Sequence, residues 1–283
     1  MFEFPEILHL NLGDPIETFI KWITINYEAF FDGVKQFILF FLIKSQKGLI
    51  SIPWVLVLLI LFLVGWKVKS IKAGLSFAAM MFMIGVLGYW NDTMLTLAIV
   101  LTSVFISLLF GIPLGIFSAY KVRFEKITKP ILDAMQTMPS FVYLIPAIML
   151  FGLGSVPAVF ATTIYALPPV IRLTTLAIKS VSEDMLEAAH SFGATPWQIL
   201  FKVEIPQALP TIMAGVNQTT MMAMAMVVVA SMIGAKGLGY NVLIAINRTD
   251  IAMGVEAGTS IVLLAIIIDR LTQAVGGKFE LKE

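Results

Sequence analysis

Four polar residues in a row, Asn217, Gln218, Thr219 and Thr220, interrupt an apolar run from Ala208 to Ile233. In lipid such groups are costly unless bonded, so they either hold one helix to another or line a wet path. A second cluster, Met138-Pro139-Ser140-Phe141-Val142-Tyr143-Leu144-Ile145-Pro146, sets aromatic rings beside two prolines. Aromatic rings attract cations. Prolines remove backbone donors and bend or break a helix, which lipid tolerates only where protein or a wet cavity satisfies the freed carbonyls. Met138, Phe141, Tyr143, Asn217 and Thr220 are therefore the candidates for a translocation path, with helix packing as the competing reading of each. The five tryptophans, Trp22, Trp54, Trp66, Trp90 and Trp197, fall at interfacial or aqueous positions, so no tryptophan cage is expected in mid-membrane.

Covalent chemistry has no comparable candidates. With no cysteine, the chain has no thiolate nucleophile, disulfide or Cys-type metal site, and its two histidines, His9 and His190, are too far apart in sequence to suggest a metal cluster. No Gly-x-x-x-x-Gly-Lys-Ser/Thr run occurs, since the one Gly-Lys pair, Gly277-Lys278, continues into Phe279. ATP hydrolysis would have to come from a partner. The glycines between Gly234 and Gly239 follow an apolar span and read as a loop breaker.

Composition sets the frame that must hold these residues. The 283 residues are 59% hydrophobic and 13% charged, with mean hydropathy +0.93, against about 25% charged in a soluble domain. This is an integral membrane protein, expected to be all-α. Its net charge of +1 gives no basic surface for nucleic acid. The start of the chain has no basic region followed by an apolar core, so insertion is expected to rely on internal spans. About seven are legible: Ile50 to Trp66, Ile71 to Trp90, Met94 to Tyr120, Ile131 to Phe151, Val156 to Ile178, Ala208 to Ile233 and Val255 to Val275. Residues 1–48 form an amphipathic segment expected to lie in the outer interface, with an extra span over 30–43 as the alternative. Residues 49–283 form the membrane domain. Ser103, Ser107, Gly111 and Gly115 recur every fourth residue and give the third span a small face for close helix packing.

Orientation follows from basic residues. Lys67, Lys69, Lys72, Lys121, Arg123, Lys126, Lys129, Arg172, Lys179, Lys202, Arg270, Lys278 and Lys282 fall on one side and make 13 of the 19 Lys and Arg. Only Lys236 and Arg248 lie in short connections on the other; Lys21, Lys35, Lys44 and Lys47 belong to the long N-terminal segment. The positive-inside rule puts the C-terminus in the cytoplasm and the N-terminus outside.

On that inner side stands one polar island, Ser182 to Pro206. Ser182 is placed to cap a helix with Glu183 and Asp184 in its first turn, and Met185, Leu186, Ala189 and Phe192 form an apolar stripe. Gly193 supplies a left-handed stop, and Thr195-Pro196 restarts a second short helix. About 25 residues cannot bury a core of their own, so this stripe calls for another protein to cover it.

The island's residues also resemble a known family. Glu187-Ala188-Ala189, then Gly193 four residues on, then Val203-Glu204-Ile205-Pro206 is similar to the EAA loop of ABC importer permeases, with Val203 and Ile205 as departures from the usual Ile and Leu. Gln136 to Pro146, Ala166 to Arg172, Ala214 to Thr219 and Ala230 to Gly239 resemble the permeases of glycine betaine and proline betaine importers, the osmoprotectant branch. The resemblance implies a type I importer permease fold in the bacterial or archaeal cytoplasmic membrane. Partners would be a second copy of the chain, two cytoplasmic ATPase subunits that carry ATP and Mg and often CBS domains, and an extracytoplasmic substrate-binding protein. Glu187, Ala188, Ala189, Phe192, Gly193 and Pro206 would couple to the ATPase. A self-sufficient secondary transporter or channel is the alternative, but no clear internal repeat or chain of mid-span acids supports it. A membrane enzyme lacks a nucleophile and base.

Overall fold

The computed structural model describes residues 13–277, and these are helical with no strand among them. The helices are α1 (Gly13–Asn26), α2 (Glu28–Ser51), α3 (Trp54–Val68), α4 (Ile71–Val86), α5 (Trp90–Tyr120), α6 (Val122–Thr137), α7 (Leu144–Phe151), α8 (Ser155–Lys179), α9 (Glu183–Ser191), α10 (Pro196–Ile199), α11 (Ile205–Ser231), α12 (Leu238–Arg248) and α13 (Ile251–Gly276). A 3₁₀ turn, Ser140–Tyr143, leads into α7, and a π turn, Leu200–Glu204, joins α10 to α11.

The centre is α8, which packs on α5 and on α11 more extensively than any other two helices pack among the described residues. The small face of α5 makes this contact. A Cβ added at Gly111 would lie 2.4 Å from Val170, and one at Gly115 2.6 Å from Thr174 and 2.9 Å from the Ile171 carbonyl. Ser103 donates to the Val159 carbonyl at 3.3 Å and Ser107 to the Thr163 carbonyl at 3.0 Å, so the hydroxyls that permit close approach also bond across it.

Four helical stretches are long and apolar enough to cross a membrane: α5, α8, the continuous run from Pro196 to Ser231, and α13. Up to six result if each of two bent pairs counts as one span. Proline accounts for both bends. The chain turns by 98° between α2 and α3 at Ile52-Pro53, and by 112° between α6 and the Ser140–Phe151 unit at Met138-Pro139. Residues before proline avoid the helical region; Ile52 has ψ 121° and Met138 ψ 135°. Pro146, by contrast, sits in the first turn of α7, a position that tolerates proline.

The same geometry shortens two expected spans. Pro53 delays the start of α3, and α4 stops at Val86 ahead of Gly88 (φ 85°), leaving helices of 15 and 16 residues. Nor is α2 a free interfacial helix along its length. Ile38 and Leu42 are buried in the cluster that includes Ile106 and Phe151. No residue of α1 is buried, and Ile16, Phe19, Trp22 and Ile25 are exposed. His9 and the rest of residues 1–12 lie outside the described residues.

Candidate functional site

At the end of the bundle where α8 finishes and α11 begins, α9 and α10 form an elbow. Glu183 and Asp184 occupy the first turn of α9, but the Ser182 side chain makes no capping bond, so the cap expected there is not formed. The turn after α9 depends on Gly193, whose φ of 73° lies in the left-handed region. Space is not the constraint, because a Cβ at Gly193 would meet nothing within 4 Å. The second helix starts with a full capping box. Thr195 Oγ1 accepts from the Gln198 N–H at 3.4 Å, Gln198 Oε1 accepts from the Thr195 N–H at 2.8 Å, and Pro196 takes the first helical position.

The elbow has a fixed inner edge and a bare outer one. Leu200 packs with Ala177 and Ile178 at the end of α8 and with Ala208 and Ile212 at the start of α11. Ile199 is also buried. Outside, Met185, Trp197 and Phe201 are exposed and Phe192 is 91% exposed. Trp197 and Phe201 stack with ring centroids 5.9 Å apart, and Gln207 Nε2 reaches Met185 Sδ at 2.9 Å. Burying one such side chain contributes about 1.5–3 kcal/mol. Several held in water on a stiff frame therefore form a surface shaped to be covered. Glu187 and Ala188 are exposed and Ala189 half-buried beside them, and Pro206 lies in the first turn of α11.

One anchor lay beyond the spacing arguments. Glu204, 5% exposed, accepts a hydrogen bond from the phenol of Tyr120 at the end of α5, tying the π turn to the central helix. Among the described residues no cation pairs with this carboxylate. Its buried position among Val203 and Ile205 is the only sequence hint, and its partner is 84 residues away. A π turn is itself a frequent mark of a functional position.

The path candidates divide. Met138 and Phe141 are exposed, at 38% and 56%, on the break between α6 and α7, and the Ser140–Tyr143 turn contacts α8 and α11. Tyr143 is buried, its hydroxyl bonded to the Met135 carbonyl and its ring 5.6 Å from that of Tyr165. Asn217 donates to Asp269 Oδ1 at 3.1 Å and accepts from Thr272, so its amide bridges α11 to α13. Thr220 is buried and bonds back to the Val216 carbonyl at 2.7 Å, while the buried Thr219 hydroxyl has no hydrogen-bond partner among the described residues. The structure thus joins Met138 and Phe141 at one exposed break and ties Asn217 into an interhelical network.

The fold and most of the sequence have known counterparts. The family of binding-protein-dependent transport system inner membrane components matches residues 111–280, which include the elbow and the central helices α8 and α11. The chain belongs to this family of transport permeases. Within it, the chain is 45% identical over 283 residues to a glycine betaine/proline betaine transport system permease protein of Escherichia coli (strain K12), covering 96% of this chain and 80% of that one. It is 46% identical to a glycine betaine transport system permease protein of Bacillus subtilis (strain 168), covering 93% and 94%. A glycine betaine/carnitine transport permease protein of Listeria monocytogenes is 45% identical, covering 97% and 98%. The fold resembles that of a chain of the MetNI methionine ABC transporter in an inward-facing form, with TM-score 0.60, 22% identity, and 65% of this chain and 93% of that one covered.

Proposed function

We propose that the chain is the transmembrane subunit of an ATP-driven importer of a compatible solute of the glycine betaine type. The observation that carries this reading is the elbow, an apolar surface held in water on a frame pinned to α5, α8 and α11. ATP and Mg reside on two cytoplasmic ATPase subunits, with CBS domains as their regulatory part, and these subunits cover the elbow. Their opening and closing moves Glu187 to Gly193, and Leu200 and Glu204 pass the motion to the central helices. The solute arrives on an extracytoplasmic binding protein and crosses between two copies of the chain. Its passage is lined by Met138 and Phe141, with Tyr143, Asn217 and Thr220 setting the shape behind them.

The N-terminus stands outside and the C-terminus inside, in line with the basic residues. Residues 1–48 include an interfacial helix, and the exposed apolar side of α1 supports that placement. The relatives, named as permeases for glycine betaine, proline betaine and carnitine, support a quaternary ammonium or related zwitterionic solute. Most discrimination rests with the binding protein, since the permease needs only a weak passage whose access alternates.

The reading is tested by reconstituting the chain with its ATPase and binding protein in liposomes and measuring glycine betaine uptake. ATP-dependent uptake is expected, and it should be lost when Glu187 and Gly193 are both replaced by proline. Uptake unchanged by that double substitution, or uptake by the chain alone driven by an ion gradient, would overturn it.

A further inference from the structure

At the elbow's end of the bundle, the turn from α3 to α4 meets the last two turns of α13 around two adjoining hollows of about 360 Å³ each. They share Lys69 and Arg270, and Lys72 joins them in one. Among the described residues no aspartate or glutamate lines either hollow. Among the described residues no carboxylate forms an ion pair with these three cations. Asp269, next in sequence to Arg270, instead accepts hydrogen bonds from Asn217 and Gln273. Among the described residues, three positive groups thus line one space with no carboxylate beside them.

Below the cations the lining of the hollow on α4 changes character. Ser76 is followed by Met80 and, from α13, Ile266. The outward faces of α3, α4 and α13 expose leucine, valine and isoleucine, and only 22% of the apolar window of α13 is buried, against 61% for α8. This corner of the protein therefore faces lipid. A cationic rim above an apolar wall, open to the bilayer, matches a phosphodiester headgroup with its acyl chains attached. Free phosphate would satisfy the cations and leave the apolar wall unused.

We propose that this corner binds the headgroup of an anionic phospholipid. The inference rests on the orientation given above only for which leaflet supplies the lipid, the cytoplasmic one.

The test uses the purified full chain and native mass spectrometry, with micelles containing either dioleoylphosphatidylglycerol or dioleoylphosphatidylcholine. Phosphatidylglycerol should be retained over phosphatidylcholine by about 10-fold, a preference that the variant K69Q/K72Q/R270Q loses. A control with the same loss of charge elsewhere, K121Q/R123Q/K126Q, should keep it. Ala73→Trp, which fills the hollow and leaves every charge in place, should also lose it. Equal retention of the two lipids by the unaltered chain overturns the proposal, as does an equal fall in both triple variants, which would mean diffuse attraction. Displacement of phosphatidylglycerol by millimolar inorganic phosphate would also overturn it, in favour of a free-anion site. None of these readouts depends on transport, so failure here leaves the importer reading untouched.

Discussion

Glycine does opposite work in the two parts of the molecule that matter most. Along the seam between α5 and α8, Gly111 and Gly115 lie directly against α8, and an added Cβ would fall within 2.6 Å of another side chain. At the elbow, Gly193 has open space around it and a backbone, φ 73°, that other residues rarely adopt. The seam needs glycine for what it leaves out; the elbow needs it for the direction it turns. One region is closely packed, and the other presents a bare surface beyond a sharp turn. The proposed coupling role needs both, a stiff arm and a place to push.

The seam should be the more fragile under substitution. Gly115→Leu forces a branched side chain into Thr174 and the Ile171 carbonyl, and overpacking of this kind costs about 3 kcal/mol, more where the backbone cannot shift. The expected outcome is a large fall in monodisperse protein and in thermal midpoint, with uptake lost in proportion to the folded amount. If Gly115→Leu folds normally, the seam is looser than its geometry indicates and the comparison fails at its stiff end.

The elbow should show the reverse pattern, with function lost and stability kept. Phe192→Ser combined with Trp197→Ser removes two exposed rings that touch little of the chain's own core. Binding of the ATPase should weaken by about 3 kcal/mol, in the range of interface hot spots, while the thermal midpoint of the isolated permease stays put or rises. Titration of the purified ATPase onto the permease in nanodiscs measures it. Unchanged affinity would mean that the bare surface is not where the partner docks.

Between the two lies the Tyr120–Glu204 bond, the point at which the hinge is fastened to the arm. Tyr120→Phe leaves a buried carboxylate without its donor, a loss of about 1–3 kcal/mol. Amide exchange over 196–206 should quicken, and solute moved per ATP should fall. Replacing both partners with Tyr120→Phe and Glu204→Leu should be milder for stability than Tyr120→Phe alone, since no polar group is then left unpaired. If the double variant regains stability but not coupling, the bond transmits motion; if it regains both, the bond is only a fastening.

How much of this could be read from the chain follows from the range of each interaction. The small face of α5, the stop at Gly193, the restart at Thr195-Pro196 and the apolar stripe of the elbow depend on neighbours within one or two turns, and all were legible. The break at Met138-Pro139 was legible only as one of two candidate bends in a single span over 131–151, and Pro146, the other, lies inside α7 without breaking it. The shortness of α3 and α4 was written in Pro53 and Gly88, but a long apolar run hides where its helix starts. The helix α12, 11 residues without a capping signal like those of the elbow, was not read from the sequence. Asn217 to Asp269 and Tyr120 to Glu204 join residues 52 and 84 positions apart. Such pairs depend on how two helices are rotated against each other, which spacing along one chain does not specify. The Ser182 cap illustrates the opposite error: the residue type and position were right, and the side chain makes no capping bond.

Gly193→Ala is the smallest of the expected effects and the one that isolates the argument. Nothing stands within 4 Å of the new methyl group, so packing cannot be the cause of any change. What remains is the cost of holding an L-residue in the left-handed region, about 1–2 kcal/mol. That energy acts on the angle between α9 and α10 and on nothing in the core. The permease should therefore melt within a few degrees of the unaltered chain, while uptake in the reconstituted importer falls several-fold. Gly193→Asn, which tolerates the left-handed region better than alanine, should restore part of it. A stability loss comparable to that of Gly115→Leu would show that the elbow is welded to the core after all. Full activity in the alanine variant would show that the direction of the turn is not what the partner reads.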